Sequence, residues 1–304
     1  MKPFLSVIVP TYNRPQCLAV CLQALAGQSY PRDSFEVLVA DDGSPIPPQA
    51  VVDSFSEQLD ARLLALPHTG PAMARNAAAR QARGAYLVFT DDDCAADPGW
   101  LPALARAFVE SPDHLLGGRT LNALPDDPYA SASQLLIEYL YNYYNTDNRA
   151  HFFTSNNMAL PASTFHDLGG FDASFPLAAG EDRELCDRWQ HYGYPMCYVP
   201  QALVFHAHGM TAAQFWQQHF GYGRGAFHYH RIRAARRQER LKVEAAPFYL
   251  NLLRYPFFKA GSYQSASTRA LFLSALLFVT QLANAVGFLW ERRAFFYRKS
   301  DNDV

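Results

Sequence analysis

Three adjacent carboxylates, Asp91, Asp92 and Asp93, follow a short apolar run at 85–90. Like charges at this spacing repel one another, and a bound cation relieves the repulsion. Hard divalent ions such as Mg²⁺ and Mn²⁺ accept carboxylate oxygens as ligands and keep positions open for phosphate oxygens. The triple aspartate therefore indicates a divalent cation site, with a solvated acidic turn as the alternative.

Two further groups of residues could act together with such a cation. An acidic pair, Glu181 and Asp182, begins a predicted helix at 181–192. It either interacts favourably with the helix dipole or supplies a general base for an attacking hydroxyl. His206 and His208 follow further along the chain, and neutral imidazole is a good metal ligand, although a single histidine is more often structural.

The elements that must position these groups alternate between strand and helix over residues 1–120. Apolar runs at 4–10, 35–40 and 85–90 predict buried strands, and the Ala-rich segment 72–82 predicts a helix. This alternation predicts an α/β fold with a mostly parallel, Rossmann-like sheet flanked by helices. Ligands of such sheets bind beyond the carboxyl ends of the strands, where the acidic residues lie.

Charge is distributed unevenly, although the net charge is only -2. Residues 219–304 contain 14 Lys and Arg against 5 Asp and Glu, a net of +9, whereas residues 1–218 contain 12 against 23, a net of -11. Such asymmetry is typical of a part that meets an anionic surface, either a membrane or a nucleic acid. The five cysteines are odd in number and form no C-x-x-C pair, which predicts reduced thiols in a cytosolic protein.

The C-terminal third contains an uncharged run at 270–290 that is long enough to span a bilayer. Its polar residues Ser274, Gln281 and Asn284 fall on one side of a helix, so the run is also suited to lie in the membrane interface. Packing on the protein core or in a homodimer is the third alternative. Basic and aromatic residues alternate at 222–242, which fits a solvated helix, acidic lipid headgroups or a lipid-phosphate acceptor.

Taken in order, the motifs resemble those of the inverting family 2 glycosyltransferases with the GT-A fold, over residues 4–208. The segments that carry the resemblance are 6–14, 41–44, 70–76, 84–93, 169–172 and 181–182. The resemblance implies a GT-A domain with a nucleotide-sugar-binding half and an acceptor-binding half, followed by a helical tail. The expected bounds of these three parts are 1–120, 121–218 and 219–304.

The resemblance also implies roles for individual residues. Asp182 is the expected general base, and Asp93 and His206 are the expected ligands of Mg²⁺ or Mn²⁺, with His208 as the reserve ligand. Asp42 is expected to accept a hydrogen bond from the nucleobase. The other expected donor-binding residues are Pro10, Thr11, Tyr12, Arg14, Arg75, Asp91, Asp92 and Asn157.

We therefore expect an inverting transferase that moves a sugar from a nucleotide diphosphate sugar, with UDP-sugars favoured, to a hydroxyl of a glycan or lipid-linked acceptor. A catalytically inactive protein that binds sugar nucleotides or assists assembly is the alternative. Residues 10–14 lack the Gly-rich phosphate loop of nucleotidyltransferases and dinucleotide dehydrogenases. The first residues show no secretory signal pattern. We expect a cytoplasmic protein on the inner face of the cell membrane, without a nucleic-acid partner.

Overall fold

The structure is a computed structural model that describes residues 2–145, 150–175, 179–241, 243–260 and 264–302, without the side chains at 260, 264–266 and 298–302. The chain divides into two compact units. The first unit comprises Met1–Ala123, Tyr144–Ser174 and Leu185–Ala207. The second comprises Leu124–Tyr143, Phe175–Glu184 and His208–Val304. The predicted functional halves, divided at residue 120, stay a prediction.

All strands found in the described residues belong to the first unit and form one sheet. They are β1 Leu5–Thr11, β2 Phe35–Asp41, β3 Ala61–Ala65, β4 Tyr86–Phe89, β5 Cys94–Ala96, β6 Leu115–Asn122, β7 Met158–Pro161 and β8 Met196–His206. Their spatial order is β3-β2-β1-β4-β7-β6-β8-β5. The predicted runs at 4–10, 35–40 and 85–90 correspond to β1, β2 and β4.

The sheet has a parallel half and a mixed half. β3, β2, β1 and β4 pair in parallel, as predicted for strands that alternate with helices. β7 pairs antiparallel with both β4 and β6, and β5 pairs antiparallel with β8, whereas β6 and β8 are parallel. Every residue of β1 and β2 is buried, which explains why these strands are mostly apolar rather than alternating.

Some helices flank the sheet within the first unit, and the others form the second unit. In chain order they are α1 Pro15–Ala26, α2 Gln49–Asp53, α3 Pro71–Ala79, α4 Trp100–Glu110, α5 Pro128–Tyr144, α6 Ala162–Asp167, α7 Glu181–His191, α8 Ala212–Arg237, α9 Ala246–Ala260 and α10 Gln264–Asn302. In the first unit, Leu18 and Leu22 of α1 and Trp100 of α4 share one core cluster with Val7 of β1 and Val37 of β2. None of the five cysteines forms a disulfide.

In the second unit, α8 and α10 lie in backbone contact. A Cβ atom at Gly223 of α8 would overlap the backbone oxygen of Asn284 in α10, so only glycine permits this approach. Near the end of the contact, the buried carboxylate of Glu291 accepts hydrogen bonds from Arg224 Nε at 2.6 Å and His228 Nε2 at 3.1 Å. These contacts fix one face of α10 against α8.

The two faces of α10 differ. Its inward face buries mainly apolar side chains, among them Leu273, Leu277 and Ala283. Beside them, the partly buried Ser274 Oγ donates to Leu253 O at 2.6 Å, and Asn284 Nδ2 donates to Thr280 O of the same helix at 2.8 Å. Its outward face carries exposed apolar residues, here named the apolar stripe: Leu271, Phe278, Leu282, Val286 and Leu289. The part at Ser267–Tyr297 is long and apolar enough to cross a membrane by length and composition. Lys242, in the predicted basic and aromatic stretch, lies outside the described residues.

Candidate active site

The carboxyl ends of the parallel strands bring the predicted polar residues of the first unit together. Asp42, which follows β2, donates its backbone N–H to Thr11 O of β1 at 2.9 Å. Thr90, which follows β4, donates its backbone N–H to Ile8 O at 3.2 Å. Because β1 lies between β2 and β4, the loops that follow these three strands share one edge of the sheet. Pro10 and Thr11, the last residues of β1, are buried beneath that edge.

Asp92 lies at the centre of the acidic cluster, which we define as Asp91, Asp92 and Asp93. It is fully buried, accepts a hydrogen bond from Thr11 Oγ1 at 2.7 Å and pairs with Arg14 Nη2. Burial raises the pKa of Asp92 to about 6, against the opposing effect of Arg14 and the Thr11 hydroxyl. The same guanidinium also contacts Asp93, whose Oδ2 lies 2.9 Å from Arg14 Nη1.

Asp93 also faces a histidine on the opposite strand. Its Oδ1 lies 3.2 Å from Nε2 of His206, because β5 pairs with β8 in a register that aligns Cys94 with His206. The backbone N–H of Ala207 donates to Asp93 O at 2.9 Å and fixes this approach. A carboxylate oxygen and an imidazole nitrogen at this separation form a donor pair that fits Mn²⁺, and the carboxylate also suits Mg²⁺.

Asp91, the first residue of the acidic cluster, pairs with Arg75. Arg75 Nη2 lies 2.6 Å from Asp91 Oδ1, and its guanidinium lies 5.7 Å from the ring centroid of Phe171. The next residue of α3, Asn76, exchanges two hydrogen bonds of 2.8 Å with the backbone N–H and carbonyl of Phe171. The helix that carries Arg75 thus also holds the loop at 169–172.

Asp42 is held by the loop that precedes α3. Its carboxylate accepts hydrogen bonds from the backbone N–H groups of Thr69 at 2.8 Å and Gly70 at 3.0 Å, and its Oδ2 lies 3.0 Å from His68 Nδ1. The His68 ring stacks on Tyr12, with centroids 4.3 Å apart. His68 was not predicted, because a single histidine in a loop gives no periodic signal.

Asn157 has structural partners on every polar atom of its side chain. Its Oδ1 accepts from Trp100 Nε1 at 2.9 Å, and its Nδ2 donates to Arg119 O and Ala202 O, each at 3.0 Å. The residue is fully buried. These hydrogen bonds join β6, β8 and α4, and the predicted contact of Asn157 with a donor stays a prediction.

Asp182 and His208 belong to the second unit. Asp182 lies in the first turn of α7, where its Oδ1 accepts from the backbone N–H of Arg183 at 2.7 Å. Of the acidic residues in this turn, Glu181 and Glu184 are buried, whereas Asp182 is partly exposed, and its role as a base stays a prediction. Nε2 of His208 lies 2.8 Å from Oε1 of Gln218 in α8.

The sequence of the chain matches one family model and several known proteins. A model of glycosyl transferase family 2 matches residues 6–169. The validoxylamine A glucosyltransferase of Streptomyces hygroscopicus is 31% identical over 223 residues, which make up 64% of this chain and 53% of that protein. The chain therefore spans about half the length of this relative. Glycosyltransferase AglE of Haloferax volcanii is 27% identical over 211 residues, 67% of each protein.

Solved structures resemble the chain over nearly its whole length. The mannosyltransferase PcManGT from Pyrobaculum calidifontis, in complex with GDP-Man and Mn²⁺, matches with a TM-score of 0.63 and 21% identity over 96% of this chain and 88% of that chain. Staphylococcus aureus TarS in complex with UDP-GlcNAc matches with a TM-score of 0.53 and 19% identity over 98% of this chain and 92% of that chain. At these identities the likeness concerns the fold, and it confirms the predicted GT-A architecture.

Proposed function

Because this chain belongs to glycosyl transferase family 2, as its motifs predicted, we propose that it transfers a sugar from a nucleoside diphosphate sugar to an acceptor hydroxyl. The observation that carries the proposal is the meeting of Asp93 with His206 beside the Arg14-bound Asp92, at the carboxyl edge of the sheet. This edge is where α/β sheets bind their ligands. A site with paired acidic and cationic groups suits a diphosphate and its counter-ion.

The donor is a UDP-sugar in this proposal. Tyr12 offers an exposed ring for stacking on a base, and the Asp42 carboxylate lies beside it, held by backbone N–H groups. Uracil and guanine both carry a ring N–H that can donate a hydrogen bond to a carboxylate. The complex of TarS with UDP-GlcNAc supports uridine, and the complex of PcManGT with GDP-Man makes GDP-sugars the comparison to include.

The cation is Mg²⁺ or Mn²⁺, with Asp93 and His206 as its ligands. When bound, it neutralises the negative charge that develops on the diphosphate leaving group. Arg75 supplies a second cationic group at the same edge, and its pairing with Asp91 fixes the direction of the guanidinium. Asp91 in turn has an oxygen available to orient sugar or ribose hydroxyls.

Asp182 is the general base. It takes the proton of the acceptor hydroxyl while that oxygen attacks the anomeric carbon from the face opposite the leaving diphosphate. One base and one in-line displacement invert the anomeric configuration. The acceptor is a glycan or a lipid-linked acceptor, and the exposed apolar stripe of the second unit, which suits a lipid surface, supports the lipid-linked class.

The second unit binds the inner surface of the cell membrane in this proposal, with α10 lying in the interface. The apolar stripe runs from Leu271 to Leu289, about 27 Å at the rise of an α-helix. Exposed basic residues flank it at Arg269 and Arg292, and such charges are attracted to the anionic lipids of the cytoplasmic leaflet. The contacts of Glu291 and Gly223 support a helix that stays packed on α8 rather than crossing the bilayer alone.

Screening nucleotide sugars for diphosphate release, with and without Mn²⁺, tests the proposed activity. The expected result is release of UDP from a UDP-sugar, dependent on the cation and increased by an acceptor. GDP release from a GDP-sugar would correct the base but keep the activity. Nucleotide binding without turnover of any donor would favour the inactive sugar-nucleotide-binding protein.

A further inference from the structure

Arg14 bridges Asp93, a proposed ligand of the cation, and its neighbour Asp92. Its Nη2 pairs with Asp92 Oδ1, and its Nη1 lies 2.9 Å from Asp93 Oδ2. Both carboxylates are nearly inaccessible to solvent, whereas the Arg14 side chain is 44% exposed. The guanidinium thus contacts Asp92 and Asp93 together and neutralises part of the charge of the acidic cluster.

The backbone that carries Arg14 is fixed, although its side chain is exposed. Asn13 adopts a left-handed conformation at φ 53° and donates its backbone N–H to Ser44 Oγ at 2.7 Å. Ser44 in turn donates its hydroxyl to Asp41, the last residue of β2. Pro15 then starts α1 immediately after Arg14. The loop therefore holds the Arg14 Cα atom beside the strand ends, while the long side chain can change its partner.

Asp92 does not depend on Arg14 for its position, since Thr11 Oγ1 donates to its Oδ2 at 2.7 Å. The backbone of Asp93 is likewise held by the hydrogen bond from Ala207 to its carbonyl oxygen. Both residues therefore have an anchor other than Arg14. A guanidinium and a divalent cation on the same Asp93 carboxylate repel each other, so each weakens the binding of the other.

A nucleoside diphosphate offers Arg14 a second partner. Arginine matches phosphate oxygens with two parallel hydrogen bonds, as it does carboxylates. A diphosphate at the sheet edge therefore gains the guanidinium that a cation displaces from Asp93. Binding of the cation and of the nucleotide then favour one another through a single side chain.

We propose that Arg14 couples the two binding events: it occupies the acidic cluster in the nucleotide-free protein and moves to the diphosphate when Asp93 binds the cation. The inference rests on the proposed function and concerns the regulation of the same site. It makes cation affinity low in the free protein and high in the presence of the nucleotide.

Calorimetric titration with MnCl₂, in the absence and in the presence of saturating UDP or GDP, tests the coupling on the full chain. Arg14→Gln should raise the Mn²⁺ affinity of the nucleotide-free protein about tenfold and reduce the gain in affinity that the nucleotide gives to the wild type. Arg119→Gln removes an exposed charge elsewhere in the same unit and should match the wild type. Arg14→Lys keeps the charge, cannot bridge both carboxylates, and should give an intermediate affinity.

Two results overturn the coupling while the proposed function stands: unchanged or weaker Mn²⁺ binding by Arg14→Gln, or an unchanged nucleotide effect in that variant. Both results presuppose that the wild type binds Mn²⁺ through Asp93, which a loss of Mn²⁺ binding in Asp93→Ala would show. A wild type that binds no Mn²⁺, with or without nucleotide, contradicts both proposals. If Arg14→Gln fails to fold, the Mn²⁺ affinity of Arg14→Lys with and without nucleotide is compared with that of the wild type, and an unchanged affinity overturns the coupling.

Discussion

Nε2 of His206 lies 3.2 Å from Oδ1 of Asp93, although the two residues are far apart in the chain. The antiparallel pairing of β5 with β8 creates this contact by aligning Cys94 with His206. His206 ends β8, and Asp93 directly precedes β5 and accepts a backbone hydrogen bond from Ala207 at 2.9 Å, so regular backbone holds both residues of the pair. Rigid donors lose little conformational freedom on binding, which is a property expected of a metal site.

The first prediction concerns cation binding. Asp93→Ala should abolish the Mn²⁺ dependence of nucleotide binding, because it removes the carboxylate donor. His206→Ala should weaken Mn²⁺ binding more than His208→Ala, and the reverse order would transfer the ligand role to His208. Calorimetry of each variant with UDP and Mn²⁺ measures both effects. Asp33→Ala, at an exposed position of the first unit, serves as the control and should leave the affinity unchanged.

The second prediction concerns the general base. Asp182→Asn keeps the size of the side chain and its hydrogen bond to Arg183, but the amide cannot accept the proton of an attacking hydroxyl. We expect kcat to fall by about 100-fold or more while the Kd of the nucleotide stays within about twofold. Asp167→Asn, exposed at the end of α6, should retain both constants. A kcat near the wild-type value in Asp182→Asn would remove Asp182 from this role.

The third prediction concerns the membrane surface. Each basic residue near anionic lipid contributes about 1 kcal/mol and is screened by salt, whereas an inserted apolar face contributes a term that salt does not remove. Vesicles with anionic lipid should therefore bind the wild type better than neutral vesicles do, and high salt should weaken the binding only in part. Deleting residues 265–304 should weaken it further.

A point variant separates the apolar stripe from the charge of the tail. Leu282→Glu places a carboxylate on the exposed face of α10 and should remove the salt-resistant part of vesicle binding. Val109→Glu, which is exposed in α4 of the first unit, should bind vesicles like the wild type. Should the wild type ignore anionic vesicles at low salt, and should Leu282→Glu dissociate a dimer, the stripe is a homodimer contact instead.

The fourth prediction concerns the pH dependence of stability. Burial in α8 lowers the pKa of His219 to about 4 and that of His230 to about 4, the latter with help from the charges of Arg183 and Arg233. At these two sites the unfolded chain therefore binds protons first as the pH falls, so their contribution to stability is complete above about pH 6.5 and declines between pH 6.5 and 4. Asp92, whose pKa burial raises from 3.8 to about 6, changes stability in the opposite direction as the pH falls. Each histidine contributes up to about 3 kcal/mol to this decline.

Urea unfolding at several pH values between 7 and 4.5 measures this decline. His219→Gln retains a polar group beside Ser133, and its side chain does not titrate. The free energy of unfolding of this variant should therefore depend less on pH than that of the wild type. His166→Gln removes an exposed histidine and should reproduce the wild-type curve. Equal slopes for the wild type and His219→Gln would contradict the assignment of a neutral, buried imidazole.

Strands and strand ends could be predicted from the sequence, because β1 and β2 are buried along their length, β4 is buried beyond its first residue, and these strands are therefore mostly apolar. The contact of Asp93 with His206 depends on β5, whose three residues are too few to give a pattern. The predicted ligand roles of Asp93 and His206 follow from the family resemblance. The side of α10 that faces the protein could not be predicted either, since Ser274 and Asn284 satisfy their hydrogen bonds on backbone carbonyls inside the unit.

The position of Arg14 was also beyond sequence reasoning, which suggested only donor binding. It depends on the left-handed backbone of Asn13 and on the hydrogen bond to Ser44, neither of which a periodic pattern reveals. The same holds for His68, which comes to Asp42 through the loop before Gly70. Residues placed by irregular loops require the structure, whereas residues at strand ends follow from the hydrophobic pattern.

The most direct test of sugar transfer with inversion is proton NMR of the reaction, with a donor that releases diphosphate, an acceptor and Mn²⁺. The anomeric proton signal of the donor should decay while that of a new glycosidic linkage grows, and its coupling constant should report the anomeric configuration opposite to that of the donor. Asp182→Asn should leave the donor signal nearly constant over the same time. A product with the donor's own configuration, or no new linkage with any acceptor, would contradict the proposed function.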